Sequence, residues 1–301
     1  MFKGFSNSVK GASHEQSGLV CQDSSAHFVG EYYAVAVVAD GHGSKKHFRS
    51  NMGSKFAVEA TLDTIANFYE DVETFEKTFP LNHKFVIKRI NKQIIANWNS
   101  KVEEHLKSNP VTAEEKSKFS YDEFEQIPPE SYYGTTLIAC IAGRGFTFGL
   151  QIGDGSLITV FDDGEAVNPI EYDESAPANI TASLCNAGAA SYFNGFYVDK
   201  KKLIAAFAST DGLYTSFGSD YDFLDYHTII TSQLAANNEF EAAVLKNITK
   251  RSHFGTQDDV SLSCVYDPEL AAANLDMLNK KVEENKQKAA ERKANMMRSN
   301  L

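Results

Sequence analysis

"VAVVADGHGS", Val35 to Ser44, opens as an apolar run rich in β-branched residues and then changes character within one position. Asp40, Gly41, His42 and Gly43 follow: a carboxylate, a bare backbone, an imidazole and a second bare backbone. The run that leads into them, "EYYAVAVVAD", is apolar on both faces, the pattern of a central strand in a covered sheet. A turn accounts for one glycine and the aspartate. It gives no reason for a histidine held between two glycines.

Outward from this strand the period changes twice. "SNMGSKFAVEATLDTIANFYE" has the helical spacing of Phe56, Ala57, Ala60, Ile65 and Phe68. "NHKFVIKRINKQIIANWNSKVEEHLKS" predicts a second helix with Phe85, Ile90, Ile94, Ile95 and Trp98 on one broad face, stopped by Asn109-Pro110. The polar stretch to about Pro129 reads as a loop or insertion. Strand patterns then return in "GTTLIACIAG", "GFTFGLQIGD" and "SLITVFDDGE", with "DDGE" as a hairpin turn. "KKLIAAFASTDG" repeats the strand-Asp-Gly ending, "FLDYHTIITSQLAA" and "NEFEAAVLKNITKRS" look helical, and "DDVSLSCVYD" is a last strand. Hairpin-spaced strands with helices grouped between them predict an α+β fold with mainly antiparallel sheets.

Composition narrows the function classes. With 301 residues, 43% of them hydrophobic, the chain can bury a sizeable core. A net charge of −11 argues against nucleic acid or an anionic membrane surface as the main partner. Apolar runs such as "AVAVVA" fall far short of the roughly 20 residues a membrane helix needs. The opening "MFKGFSNSVKGASHEQ" has no apolar core of signal-peptide length, and Cys21, Cys140, Cys185 and Cys264 form no CxxC pair. The expectation is a soluble, cytoplasmic protein with reduced thiols.

Five acids stand at the end of an apolar strand or beside one: Asp23 in "CQDSSAHF", Asp40, Asp154 in "QIGDGS", Asp211 in "ASTDGLY" and Asp258 in "GTQDDVSLS". Each Asp-Gly alone is an ordinary turn. If the strands lie side by side, the five carboxylates converge on one rim, where unpaired they repel. Oxygen donors with little sulfur or imidazole suit hard cations, Mg²⁺ or Mn²⁺, and the cluster reads as a two-metal site.

The ordered set "QD", "DGHGS", "GTTL…GDGS", "STDGLY" and "QDDVSL" resembles the metal-dependent protein phosphatases, also called type 2C serine/threonine phosphatases, over roughly residues 5–267. "SVKGASHEQSGLVCQDSS" is similar to the opening of a bacterial branch of that family. The resemblance implies a four-layer α-β-β-α sandwich, two antiparallel sheets flanked by helix pairs, with a dinuclear Mn²⁺/Mg²⁺ site at one end. It makes Asp40 the bridging ligand, the Gly41 carbonyl a ligand of one ion, and Asp211 and Asp258 ligands of the other. Asp23 acts on the Gly41 side, and Asp154 matches an acid that helps bind a third, weaker ion. Asp258 is preferred to Asp259 because the family's ligand comes first in that pair.

The chemistry implied is hydrolysis of phosphoserine and phosphothreonine in phosphoproteins, opposite a serine/threonine kinase. His42 would give the leaving alkoxide its proton. Two positions depart from the pattern: the phosphate-holding arginine of eukaryotic members aligns with Gly18, and "GDSR" reads "GDGS". His14 is the favoured phosphate contact in its place, ahead of Lys10, Arg251 and His253; the alternative is that His14 only orders the N-terminal loop. Two other readings stay open: a pseudophosphatase kept for binding, and a metallohydrolase of a small phosphate ester or nucleotide. The catalytic domain is expected over 1–267. Residues 268–301, rich in Ala, Lys, Glu and Asn, form a helical tail expected to pack on that domain or a partner and to be dispensable for chemistry.

Overall fold

A computed structural model describes residues 1–170, 182–235 and 239–299 of the chain. Among the described residues, ten strands make two antiparallel sheets. One sheet has the order β1 (Lys3–Val9), β10 (Val260–Tyr266), β9 (Leu203–Ser209), β6 (Ser156–Phe161), β7 (Ala166–Val167). The other has the order β2 (Ser24–Val29), β3 (Tyr33–Ala39), β4 (Leu137–Gly143), β5 (Thr147–Ile152), β8 (Asn194–Val198). The opening strand β3 is central and fully covered from Ala34 to Ala39, as its two-faced apolar pattern requires. The "DDGE" turn joins β6 to β7, with Gly164 at φ 72° in the left-handed region.

Three apolar layers hold the sandwich together. Between the sheets lie Ala34, Ala36, Val38, Ile138, Leu157, Ala206 and Val265. Outside the β3 sheet, α2 (Ser50–Phe68) and α3 (Val72–Ser108) bury Phe56, Ile65, Ile90, Ile94 and Trp98 against Val35, Val37 and Leu150. Outside the β9 sheet, α7 (Asp220–Gln233) and α8 (Phe240–Arg251) bury Phe223, Ile230, Val244 and Ile248 against Phe207 and Leu262. The fold is the expected four-layer α-β-β-α sandwich. Among the described residues, no helix is long and apolar enough to cross a membrane.

Several local expectations change. α3 begins ten residues before "NHKFVIKRI", at the N-cap Asp71, whose side chain accepts from Thr74 N–H. Phe75 and Phe79 are buried one turn apart, and the axis breaks at Asn82 (φ −135°), two residues after Pro80. The break rotates Phe85 out of the apolar face, and it is 65% exposed. The insertion after Pro110 carries two short helices, α4 (Ala113–Ser117) and α5 (Tyr121–Glu125), each opened by a capping box. The remaining short helices are α1 (Ala12–Ser17), α6 (Asp211–Tyr214) and α9 (Pro268–Ala273); the last and longest tail element is α10 (Leu275–Ser299).

Candidate active site

Antiparallel register brings the acidic stretches to one end of the sandwich. Ser24 pairs with Ala39, so Asp23 and Asp40 leave the same end of the β2–β3 pair. Leu137 pairs with Ile152, which puts the β5–β6 turn carrying Asp154 at that end too. In the other sheet Ser209 pairs with Ser156 and Leu262, so Asp211 and the Asp258–Asp259 step share the corresponding end. The two ends meet: the Thr210 hydroxyl donates to Asp23 Oδ2 at 2.7 Å across the sheets.

The Asp40–His42 loop is fixed from its backbone. Asp40 N–H donates to Thr136 Oγ1 at 3.0 Å, and its carbonyl accepts from Thr136 N–H at 2.9 Å and Thr135 Oγ1 at 2.8 Å. Gly41 N–H donates to the Gln22 carbonyl, and His42 N–H to the Gly134 carbonyl at 3.0 Å. Gly41 has to be glycine on contact grounds, since a Cβ there would stand 2.6 Å from Gln22 O and 2.7 Å from Ser50 O. This answers one part of the opening pattern: the first glycine lets two backbones approach the Asp40–His42 loop.

The electrostatics are those of crowded, buried acids. Burial is the largest influence raising Asp23, Asp40 and Asp211, and neighbouring carboxylates add to it in each case. The Asp40 and Asp211 carboxyls act directly on one another, and both are held above the usual carboxylate range. The groups acting most on these three are other acids, hydroxyls and a backbone amide; none is a lysine or arginine. Asp154 presses on both Asp40 and Asp211, and Asp258 on Asp211 and Asp23.

The same array tests the expected cation. Among the described residues, no three His, Cys, Asp or Glu side chains form a ready ligand set. The donor chemistry nonetheless fits a hard divalent ion: carboxylate oxygens that repel one another, from a buried Asp23 and half-buried Asp40 and Asp211 out to Asp154 and Asp258 at the exposed rim.

The Asp258–Asp259 pair divides its work. Asp259 is buried and accepts from Gly11 N–H at 2.7 Å and Gln22 N–H at 2.6 Å, so it locks the N-terminal segment to β10. Asp258 is exposed at the rim and its Oδ1 accepts from Asp259 N–H. His14 lies with Nδ1 3.0 Å from Asp259 Oδ1, within ion-pair range but off the line a hydrogen bond needs. Arg251 stacks 3.6 Å over the Phe217 ring and donates to Ser216, while His253 pairs with Glu15.

His42 is pulled down to about 4, first by burial and then by His47, with Lys46 adding to this and Asp154 opposing it. It is neutral at pH 7. Asp259, which the sequence reading weighed and set aside as a ligand, and Thr210 and His47, which it did not single out, also lie at the candidate site. The doubled acid in "QDD" and the hydroxyl before "DG" were the visible traces of the first two; His47, five residues past the motif's histidine, left none.

The comparisons agree with this geometry. A model of the family described as protein phosphatase 2C matches residues 10–248. A search of curated proteins gave no match. Among solved structures, the chain is similar to a C. elegans sex determining protein at 13% identity and TM-score 0.54, covering 91% of this chain and 67% of that one. It is similar to the serine/threonine phosphatase Stp1 from Staphylococcus aureus at 13% identity and TM-score 0.53, covering 89% and 95%. It is also similar to the catalytic domain of the serine threonine protein phosphatase PstP, crystallised with two manganese ions, at 16% identity and TM-score 0.50, covering 88% and 97%. Such identities speak to the fold, and the family match spans most of the chain. With its acids gathered at the shared end of two five-stranded sheets, this chain belongs to the protein phosphatase 2C family.

Proposed function

We propose that this chain is a Mn²⁺- or Mg²⁺-dependent phosphatase of phosphoserine and phosphothreonine in proteins, reversing the work of a serine/threonine kinase. One observation carries the reading: three raised carboxyls at the sandwich end, Asp23 buried and Asp40 and Asp211 half-buried, with no basic side chain among the groups that act most on them. Asp40, Asp211, Asp258, Asp23 and the Gly41 carbonyl would hold two ions, with Asp154 available to a third. When bound, such ions supply Lewis acidity and charge neutralisation for displacement at phosphorus.

The chain's own part is positioning and proton handling. The threonine clasp on Asp40 fixes the central carboxyl before substrate arrives. His42 is assigned the proton at the leaving serine or threonine oxygen. Its neutrality in the free protein suits that role, because a phosphate dianion beside the ring raises its proton affinity against the effect of burial. The contact of His14 with Asp259 supports a role in ordering the N-terminal segment over a direct hold on phosphate. Four unpaired cysteines support a reducing compartment, and we place the protein in the cytoplasm.

The test offers the purified chain a phosphothreonine peptide, a nucleotide and an aryl phosphate, with Mn²⁺ and with chelator. The expected result is turnover of the peptide and the aryl ester that chelator abolishes. Hydrolysis of the nucleotide without the peptide would move the reading to a small-ester hydrolase. A folded protein that turns over none of the three would make it a binding module.

A further inference from the structure

Behind His42 stands a second imidazole. His47 is 7% exposed, and its ring centroid lies 5.0 Å from that of His42 at a 48° tilt. Its Nδ1–H donates to the Ser131 carbonyl, and its backbone N–H closes a turn onto Ser44 O at 2.8 Å. Gly134 packs against both rings. A Cβ on it would stand 2.4 Å from His47 Nδ1 and 3.0 Å from His42 Cδ2, and its carbonyl accepts the His42 N–H. His42, His47 and the 131–134 backbone therefore form one packed unit with no room for a side chain at 134.

We propose that His47 is a positioning residue for His42: its ring, fixed by the Ser131 carbonyl, is the wall that sets the direction of the His42 imidazole. The proposal rests on the phosphatase reading and on His42 as proton donor. A hydrogen bond at one nitrogen and a buried ring plane leave His47 little freedom, so the adjoining imidazole inherits a defined orientation. Proton transfer to a leaving oxygen is steep in distance and angle, so a wall of this kind acts on kcat for poor leaving groups.

The test is a double-mutant cycle on the full chain with Mn²⁺, using a phosphothreonine peptide and an aryl phosphate. His47→Ala should lower kcat for the peptide at least about tenfold more than for the aryl ester, with KM little changed. In a His42→Ala background the same substitution should add almost nothing on either substrate, because its route is already cut. His47→Asn, which keeps an N–H donor for the Ser131 carbonyl, should recover part of the loss and takes the place of His47→Ala in the cycle if that variant fails to fold. Equal losses on both substrates, or losses that multiply in the double variant, would overturn the proposal. Wild-type protein without Mn²⁺-dependent turnover is a separate result, and it removes the phosphatase reading and this inference together.

Discussion

Asp40 shows what a single residue has to reconcile. Its backbone is held at N–H and carbonyl by Thr135 and Thr136, while its carboxyl is buried among Asp23, Asp154 and Asp211. A carboxyl whose folded pKa lies above its unfolded value holds its proton more tightly in the native state. Native stability then falls as pH rises from near 4 through the folded pKa. Asp40→Asn removes that cost. In chelator at pH 7–8 it should raise Tm, by about 2–4 °C for each kcal/mol relieved, as read by calorimetry. The same variant should lose turnover and the Tm rise that Mn²⁺ gives the wild type. A Tm in chelator at or below wild type would show that the buried acids are not under strain. His42→Ala, in turn, should slow the phosphothreonine peptide far more than the aryl ester, since a good leaving group needs little protonation. Parallel losses in steady-state kinetics would make that histidine a structural residue.

At the scale of elements, Arg49 ties the insertion to the site. The guanidinium is buried and meets Glu115 with Nε at 2.7 Å and Nη2 at 2.9 Å, and it also reaches the Asn109 and Pro110 carbonyls and Tyr133 Oη. It thus joins the start of α2 to the end of α3, to α4 and to the turn that carries Ser131. The Arg49 hydrogen bonds hold Glu115 down at about 2. A depressed carboxyl contributes its stability above the unfolded pKa and loses it as pH falls through the folded one, here from about 4.5 to about 2. Glu115→Gln keeps an acceptor oxygen but removes the charge of this partly exposed partner, and should cost about 1–2 kcal/mol at pH 7 in denaturant unfolding. That gap to wild type should close as pH drops from 4.5 toward 2. A gap independent of pH would mean that packing, and not the ion pair, holds the insertion. The insertion's two capping boxes, at Thr112/Glu115 and Ser120/Glu123, were present in the sequence, but five-residue helices leave too short a period to see. β1 and β2 escaped for another reason: both are half-exposed, with polar residues interrupting the apolar ones.

For the molecule as a whole, the tail is part of the body at its start. Leu278 is fully buried with Phe223, Tyr226 and Ile230, and Met277 packs on Gly164 in the β6–β7 turn. Lys281 pairs with Glu165, and Arg292 with Asp225 of α7 at 3.2 Å. Leu278→Ala should therefore cost about 2–4 kcal/mol in unfolding experiments. Removing residues 294–301 should leave Tm and turnover unchanged, whereas removing 272–301 should lower both by uncovering α7. A fully stable, active protein ending at 271 would show that α10 is only an appendage.

The sequence by itself determined the strands and helices with strong periods, the mainly antiparallel sheets, and the five strand-edge acids with His42 among them, while the sandwich was implied by the family resemblance. These are local patterns: two-faced apolar strands, 3.6-residue spacing, and acids placed where strands stop. Which groups touch was decided only in three dimensions. Register brought Asp23 to Thr210 across the sheets, and packing gave Asp259 the amides of Gly11 and Gln22. His47 came to lie behind His42 because a turn closed between them and Gly134 left the space. Residues such as these lie up to 248 positions apart in the chain. No periodicity spans such a distance, and only burial of the two sheet faces against one another brings them together.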